Sequence, residues 1–245
     1  MVSFKELVAR IGKYFRFSQQ ELIGLIVGTL VVGFIFSFRN WGDGGFDLLL
    51  GLRNFSVVVL AAGLSLFGRV ACQKIYALSI GYQMEFRTWW VGLGIMLVLV
   101  FLSAGYLTLV LAGGAWLAFM TRQRLGSFRY GHNYEEQAIV GLWGILGSLI
   151  MAGAFRVGDY FLPGVLFFEK GMMISVIFAI CTVLPIPRME GLSIFFGARG
   201  IYWLSLAIVL VGTMLLLFGG GLGLLIGIIL GLLAAGIAIL WGSEI

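Results

Sequence analysis

Arg69 and Gln73 lie one helical turn apart in a segment that is long and apolar enough to cross a membrane. The run from Phe55 to Phe67 before them carries no charge, and the apolar pattern continues after them to Ile80. A charged side chain is costly at the depth of a bilayer, so such a residue usually has a buried partner or lines a functional cavity. The helix face that carries Arg69 and Gln73 is therefore a candidate functional site.

A second polar position lies in the segment TVLPIPRMEG, residues 182–191, where Pro185 and Pro187 interrupt an apolar run. Proline removes a backbone donor and disfavours helix at the preceding residue, so the helix is expected to end or unwind within the membrane. Irregular backbone at that depth is tolerated only where protein or a water-filled cavity surrounds it. The break, which carries Glu190, is therefore the second candidate for the site.

Each of these polar residues also has an interpretation that involves no function. The Arg69 side chain can extend to a membrane interface, and Glu190 can lie on a surface loop. Gln73 can join two helices by a hydrogen bond, and Cys72 can be an ordinary packing residue. His132, the only histidine, stands in a polar loop and is expected to be solvated rather than bound to a metal. These alternatives stay open on the sequence alone.

The composition indicates an integral membrane protein. Of the 245 residues, 61% are hydrophobic and 11% are charged, and the mean hydropathy is +1.07. Soluble domains carry about 25% charged residues. The net charge of +5 is distributed over the ends of segments and not gathered in a basic patch, which argues against nucleic-acid binding. We therefore predict an all-α polytopic protein that lies in the lipid bilayer of the plasma membrane.

Residues 1–20 predict an amphipathic cytoplasmic helix, and residues 21–243 predict a single transmembrane domain. The predicted apolar segments are 21–38, 55–80, 90–112, 138–155, the proline-broken 164–197 and a C-terminal helix pair at 201–243. Together they give about six or seven transmembrane helices. Short strands are expected near one membrane face, one at GYQMEFR and others within 113–137. Basic residues precede the first span, which favours a cytoplasmic N-terminus; they are Lys5, Arg10, Lys13 and Arg16.

The stretch KIYALSIGYQMEFRTW, residues 74–89, resembles a segment of archaeal members of the site-2 protease family of intramembrane zinc metalloproteases. In that family the segment follows an H-E-x-x-H motif, whose histidines bind zinc while its glutamate activates water. An aspartate on a proline-broken helix supplies the third zinc ligand. The resemblance extends over about residues 17–210, with a protease-like core at about 55–200.

The same resemblance implies that the catalytic positions are replaced. Arg69 takes the place of the first histidine, Val70 that of the glutamate and Gln73 that of the second histidine. Glu190 takes the place of the aspartate. Guanidinium has no free lone pair, valine is no base, and an amide oxygen is a poor substitute for imidazole. The chain therefore resembles a degenerate member that has no catalytic residue and no metal site.

Further positions resemble the family's cleft. WGILGS, residues 143–148, is similar to the family's A-G-P-L-x-N, and TVLPIPRMEG is similar to its proline-containing motif. The cleft-lining candidates are Gly144, Ser148, Thr182, Pro185 and Pro187. We further expect a contact between Arg69 and Glu190 in the place of the metal, with Gln73 bonded to one of them.

The function that the resemblance favours is that of a pseudoprotease, a catalytically inactive homologue that binds or escorts a membrane protein partner and needs no cofactor. One alternative is a weakly active or unconventional intramembrane peptidase. Another is a structural or transport subunit of a larger membrane complex. Whether the chain is an enzyme is left open, although the replaced positions argue against catalysis.

Overall fold

A computed structural model describes residues 4–42, 47–120 and 133–218 of the chain. The helices and strands in this part are α1 (Phe4–Tyr14), α2 (Gln19–Ser37), α3 (Leu48–Ile80), β1 (Tyr82–Thr88), α4 (Trp90–Leu102), β2 (Gly113–Met120), α5 (Tyr134–Phe161), α6 (Leu166–Val183), α7 (Glu190–Gly197) and α8 (Arg199–Phe218). The predictions for His132 and for residues 219–243 lie outside the described residues.

Five helices of this part are long and apolar enough to cross a membrane, namely α2, α3, α5, α6 and α8. Helix α4 is also apolar, but it has 13 residues. At 1.5 Å per residue it extends over about 20 Å, whereas a bilayer core measures about 30 Å. The predicted helical membrane protein with short strands is confirmed, whereas the count of six or seven spans stays a prediction.

Helix α3, which carries the first candidate site, is 33 residues long. It begins at Leu48, so the helix starts before the apolar segment predicted at 55–80 and includes residues 48–54. The Asp47 side chain accepts hydrogen bonds from two backbone N–H groups of the first turn, which caps the helix early. The helix ends at Ile80, and the next residue, Gly81, has a φ of +91°, the left-handed conformation that glycine adopts without strain.

Helices α3 and α5 pack closely and antiparallel, because glycines of α5 face α3. A methyl group at Gly147 would lie 3.0 Å from Cys72 Cβ and 3.1 Å from Arg69 Cα. At Gly144 a methyl group would collide with the Gln73 amide. Small residues allow this close approach of two membrane helices. The close packing brings the polar face of α3 against α5.

Strands β1 and β2 form an antiparallel pair in which Tyr82 lies opposite Met120 and Phe86 opposite Ala115. The strand predicted at GYQMEFR is thereby confirmed. Between the strands, α4 leads away from the sheet, and the segment 103–112 leads back to it. The return is closed by a hydrogen bond from the Trp89 N–H to the Ala112 carbonyl. The segment from Trp89 to Ala112 therefore leaves the sheet and returns to it at the same point.

A buried ion pair between Lys74 and Glu21 joins α2, α3 and β1. Lys74 Nζ lies 2.9 Å from a carboxylate oxygen of Glu21, and it also donates to the backbone carbonyls of Arg16 and Met84. The Glu21 carboxylate in turn accepts the Phe86 N–H at 3.0 Å. All the polar groups of the pair are thus hydrogen-bonded, which a buried charge requires. The network explains a lysine inside the apolar pattern of α3, and it fixes the sheet beside this helix.

Candidate functional site

The two candidate positions meet in the protein interior. Arg69 Nη2 donates to Glu190 Oε2 at 2.6 Å, and both side chains are 0% exposed. Arg69 lies in the middle of α3, whereas Glu190 is the first residue of α7. The expected contact between the two residues is therefore confirmed. The alternatives that place Arg69 at an interface or Glu190 on a surface loop are excluded by their burial.

Further donors surround the Glu190 carboxylate. Its Oε1 accepts the Gln73 Nε2–H at 3.1 Å and the backbone N–H of Ala115, in β2, also at 3.1 Å. The Arg69 guanidinium lies over the Phe178 ring, with 5.4 Å between Cζ and the ring centroid. Both carboxylate oxygens are thus engaged, and the negative charge is compensated by a cation and two neutral donors.

The turn between α6 and α7 directs Glu190 into the bundle. Helix α6 ends at Val183, and both Pro185 and Pro187 lie exposed in the turn that follows. A methyl group at Gly191 would lie 2.5 Å from the Val183 carbonyl oxygen. Glycine at that position therefore lets α7 begin directly against the end of α6. The predicted break is confirmed, and its prolines shape the turn at the surface of the protein.

The remaining predicted positions differ in their surroundings. The Ser148 hydroxyl donates to the Gly144 carbonyl at 3.0 Å, and the Thr182 hydroxyl donates to the Phe178 carbonyl at 2.5 Å. Both are bonds within one helix. Val70 is fully buried in the main apolar core. The structure thus brings Arg69, Gln73, Gly144 and Glu190 into one contact group, whereas the hydroxyls of Ser148 and Thr182 bond to their own helices.

Sequence reasoning missed Gln137. Its side chain, 3% exposed, donates to the Ala115 carbonyl at 2.6 Å and accepts the Leu117 N–H at 3.1 Å. It stands in the first turn of α5 next to Glu135 and Glu136, where polar residues are ordinary. Its role depends on tertiary pairing with β2, so that the local pattern gives no signal for it.

The donors of the site do not fit a zinc ion. Arg69 has no lone pair to offer, and the Glu190 oxygens already accept from a guanidinium, an amide and a backbone N–H. A zinc site needs three or four nitrogen, sulfur or carboxylate ligands. Within the described residues, no group of three or more His, Cys, Asp and Glu side chains could hold a metal ion. No step of metal chemistry can be assigned to these residues.

Comparison with known proteins gives one informative similarity. The chain is 28% identical over 207 residues to a Methanocaldococcus jannaschii protein named "Putative zinc metalloprotease", covering 82% of this chain and 96% of that protein. No protein-family profile matches the chain. No solved structure matches it either. The similarity fits a site-2 protease-like family.

Proposed function

We propose that this chain is a pseudoprotease: a catalytically inactive homologue of an intramembrane metalloprotease that binds or escorts a membrane protein partner. The observation that carries the proposal is the buried Arg69–Glu190 ion pair. It joins two of the positions that correspond, by the resemblance, to zinc ligands. By the same resemblance, a fixed cation takes the place of one zinc ligand and pairs with the residue in the place of another.

The chemistry of the site supports the loss of hydrolysis. Zinc-dependent hydrolysis needs a metal with an open coordination position and a base that takes the proton of the attacking water. The Arg69 guanidinium stays protonated and accepts no proton, and Val70 has no titratable group. Glu190 is the one carboxylate of the contact group. If it acted as a base and took up a proton, it would lose its ionic bond to Arg69. An unconventional peptidase is therefore the less favoured alternative.

The retained scaffold supports a binding role. The Glu190 carboxylate connects α3, α7 and β2, and Gln137 connects α5 to the same strand. These hydrogen bonds thus hold the four elements in one arrangement. A preorganised surface loses less entropy on binding than a flexible one. A structural or transport subunit of a larger complex is the second alternative, because such a subunit would also keep the scaffold.

Crosslinking in native membranes tests the proposal. We expect a tagged copy of the protein to co-purify with a membrane protein after crosslinking. That partner should have the same length in cells with and without this chain. A shortened partner that depends on the chain, and is restored to full length by Glu190→Gln, would show a peptidase instead. Several proteins recovered in fixed proportions would favour the subunit role.

We also propose that the N-terminus is cytoplasmic and that the membrane is the plasma membrane. Four basic residues, Lys5, Arg10, Lys13 and Arg16, precede the first span, and Arg10 donates to the Leu78 carbonyl near the C-terminal end of α3. At the opposite end, Arg156 is paired with Asp159. Cytoplasmic segments carry the excess of Lys and Arg.

Cysteine labelling of intact cells with an impermeant reagent measures this orientation. The two native cysteines are first replaced by alanine, and single cysteines are introduced as Ser3→Cys and Gly44→Cys. We expect labelling at position 44 and none at position 3 until the cells are opened. Labelling of position 3 from outside contradicts a cytoplasmic N-terminus.

A further inference from the structure

Strand β2 has one edge paired with β1 and a second, outer edge that faces α5 and α7. On the outer edge lie the N–H and C=O of Ala115 and the N–H of Leu117. Unpaired backbone groups on a strand edge are a template for another segment in extended conformation. The partners of these three groups therefore decide whether the edge can accept a further strand.

Side chains occupy all three groups. Gln137 Nε2 donates to the Ala115 carbonyl at 2.6 Å, and Gln137 Oε1 accepts the Leu117 N–H at 3.1 Å. Glu190 accepts the remaining Ala115 N–H. A side-chain amide has the same donor and acceptor as a peptide group, so Gln137 takes the place of one peptide unit of a neighbouring strand. Because Gln137 is buried, water does not compete for these bonds.

We propose that Gln137 is an edge cap, an intramolecular contact that closes the outer edge of β2 to strand addition. A segment in extended conformation pairs with this edge only after the Gln137 amide has left it. The cap concerns the hydrogen bonds of β2 and holds whether or not the chain hydrolyses peptides. It accounts for a buried glutamine at the start of a membrane helix, where an apolar residue would cost less free energy to bury.

The test compares Gln137→Met, which keeps the length of the side chain but removes both hydrogen bonds, with the unchanged protein in nanodiscs. Gln137→Asn, which is too short to bridge both groups, serves as the second variant. The control is Glu135→Gln, a change of polar side chain in the same helical turn. The probe is a biotinylated peptide of the β1 sequence, YQMEFRT, with a photoreactive group on its phenylalanine. This sequence is the natural antiparallel neighbour of β2.

Two readouts are measured on variants that elute as one species. Hydrogen exchange of the Leu117 amide should be about tenfold faster in both Gln137 variants, because its acceptor is lost or withdrawn. Capture of the peptide on β2 should rise by a similar factor, and Glu135→Gln should behave like the unchanged protein. Unchanged exchange at Leu117 overturns the proposal. Faster exchange with no gain in capture also overturns it, since the edge would then be closed by something other than Gln137.

Discussion

Arg69→Met and Glu190→Met are each expected to lower the free energy of unfolding by about 3–5 kcal/mol. Each single substitution leaves one charge in the protein interior without its counter-ion, since both side chains are fully buried. The double variant removes both charges, and it is expected to cost less than either single one. The coupling free energy follows from the four proteins as a double-mutant cycle, measured by reversible unfolding in micelles or bicelles.

A matched control is the ion pair between Arg156 and Asp159, whose side chains are 32% and 24% exposed. Arg156→Met is expected to change the free energy of unfolding by less than about 1 kcal/mol, because solvent screens a partly exposed pair. If the double variant at Arg69 and Glu190 costs as much as the two single variants together, the residues are not coupled. The ion pair would then contribute no coupling free energy to the stability of the site.

The contact between Arg69 and Glu190 was predictable because each is a charged residue in a largely apolar segment. An arginine within an apolar helix and an acid after a proline break both need a partner, and resemblance to one family relates the two positions. The strand β1 was predictable from the alternation of its residues, and the end of α6 from Pro185 and Pro187. In these cases a local pattern carries the information.

The extent of α4 was not predictable from the apolar run 90–112. Hydropathy does not distinguish a helix that continues from a buried segment that turns back. In the structure the helix ends at Leu102, and Gly105 has a φ of +79° in the turn that follows. The returning segment is buried at its last three residues, 110–112, and the Leu111 N–H is accepted by the Met96 sulfur at 2.8 Å. The Met96 sulfur lies on α4 and meets Leu111 only in the folded chain, so the local sequence gives no signal for this bond.

Two further contacts were also not predictable from the sequence: the ion pair of Lys74 with Glu21 and the cap of β2 by Gln137. Glu21 and Lys74 are far apart in the chain, and both belong to patterns that look ordinary locally: a capping box at the start of α2 and a lysine in the second half of α3. The capping box explains Glu21 by itself. Only the packing of α2 against α3 shows its second role as the counter-ion of a buried lysine.

Zinc content of the purified protein is the measurement that bears most directly on the proposal that the chain is catalytically inactive. We expect far less than one zinc per chain, and no cleavage of a membrane substrate by the same preparation. The physical reason is that the Arg69 guanidinium, which corresponds to the first ligand by the resemblance, has no lone pair and engages the one carboxylate of the contact group. Metal affinity falls steeply when ligands are missing, because the remaining donors cannot complete the coordination.

A variant with Arg69→His, Val70→Glu, Gln73→His and Glu190→Asp is the positive control, since it restores the two imidazoles and both carboxylates of the family's motif. Its zinc content is expected to rise toward one per chain, measured by elemental analysis of the same fractions. The unchanged protein should stay near zero, and Glu190→Ala should not lower its content further. One zinc per chain in the unchanged protein, lost on Glu190→Ala, would contradict a catalytically inactive site.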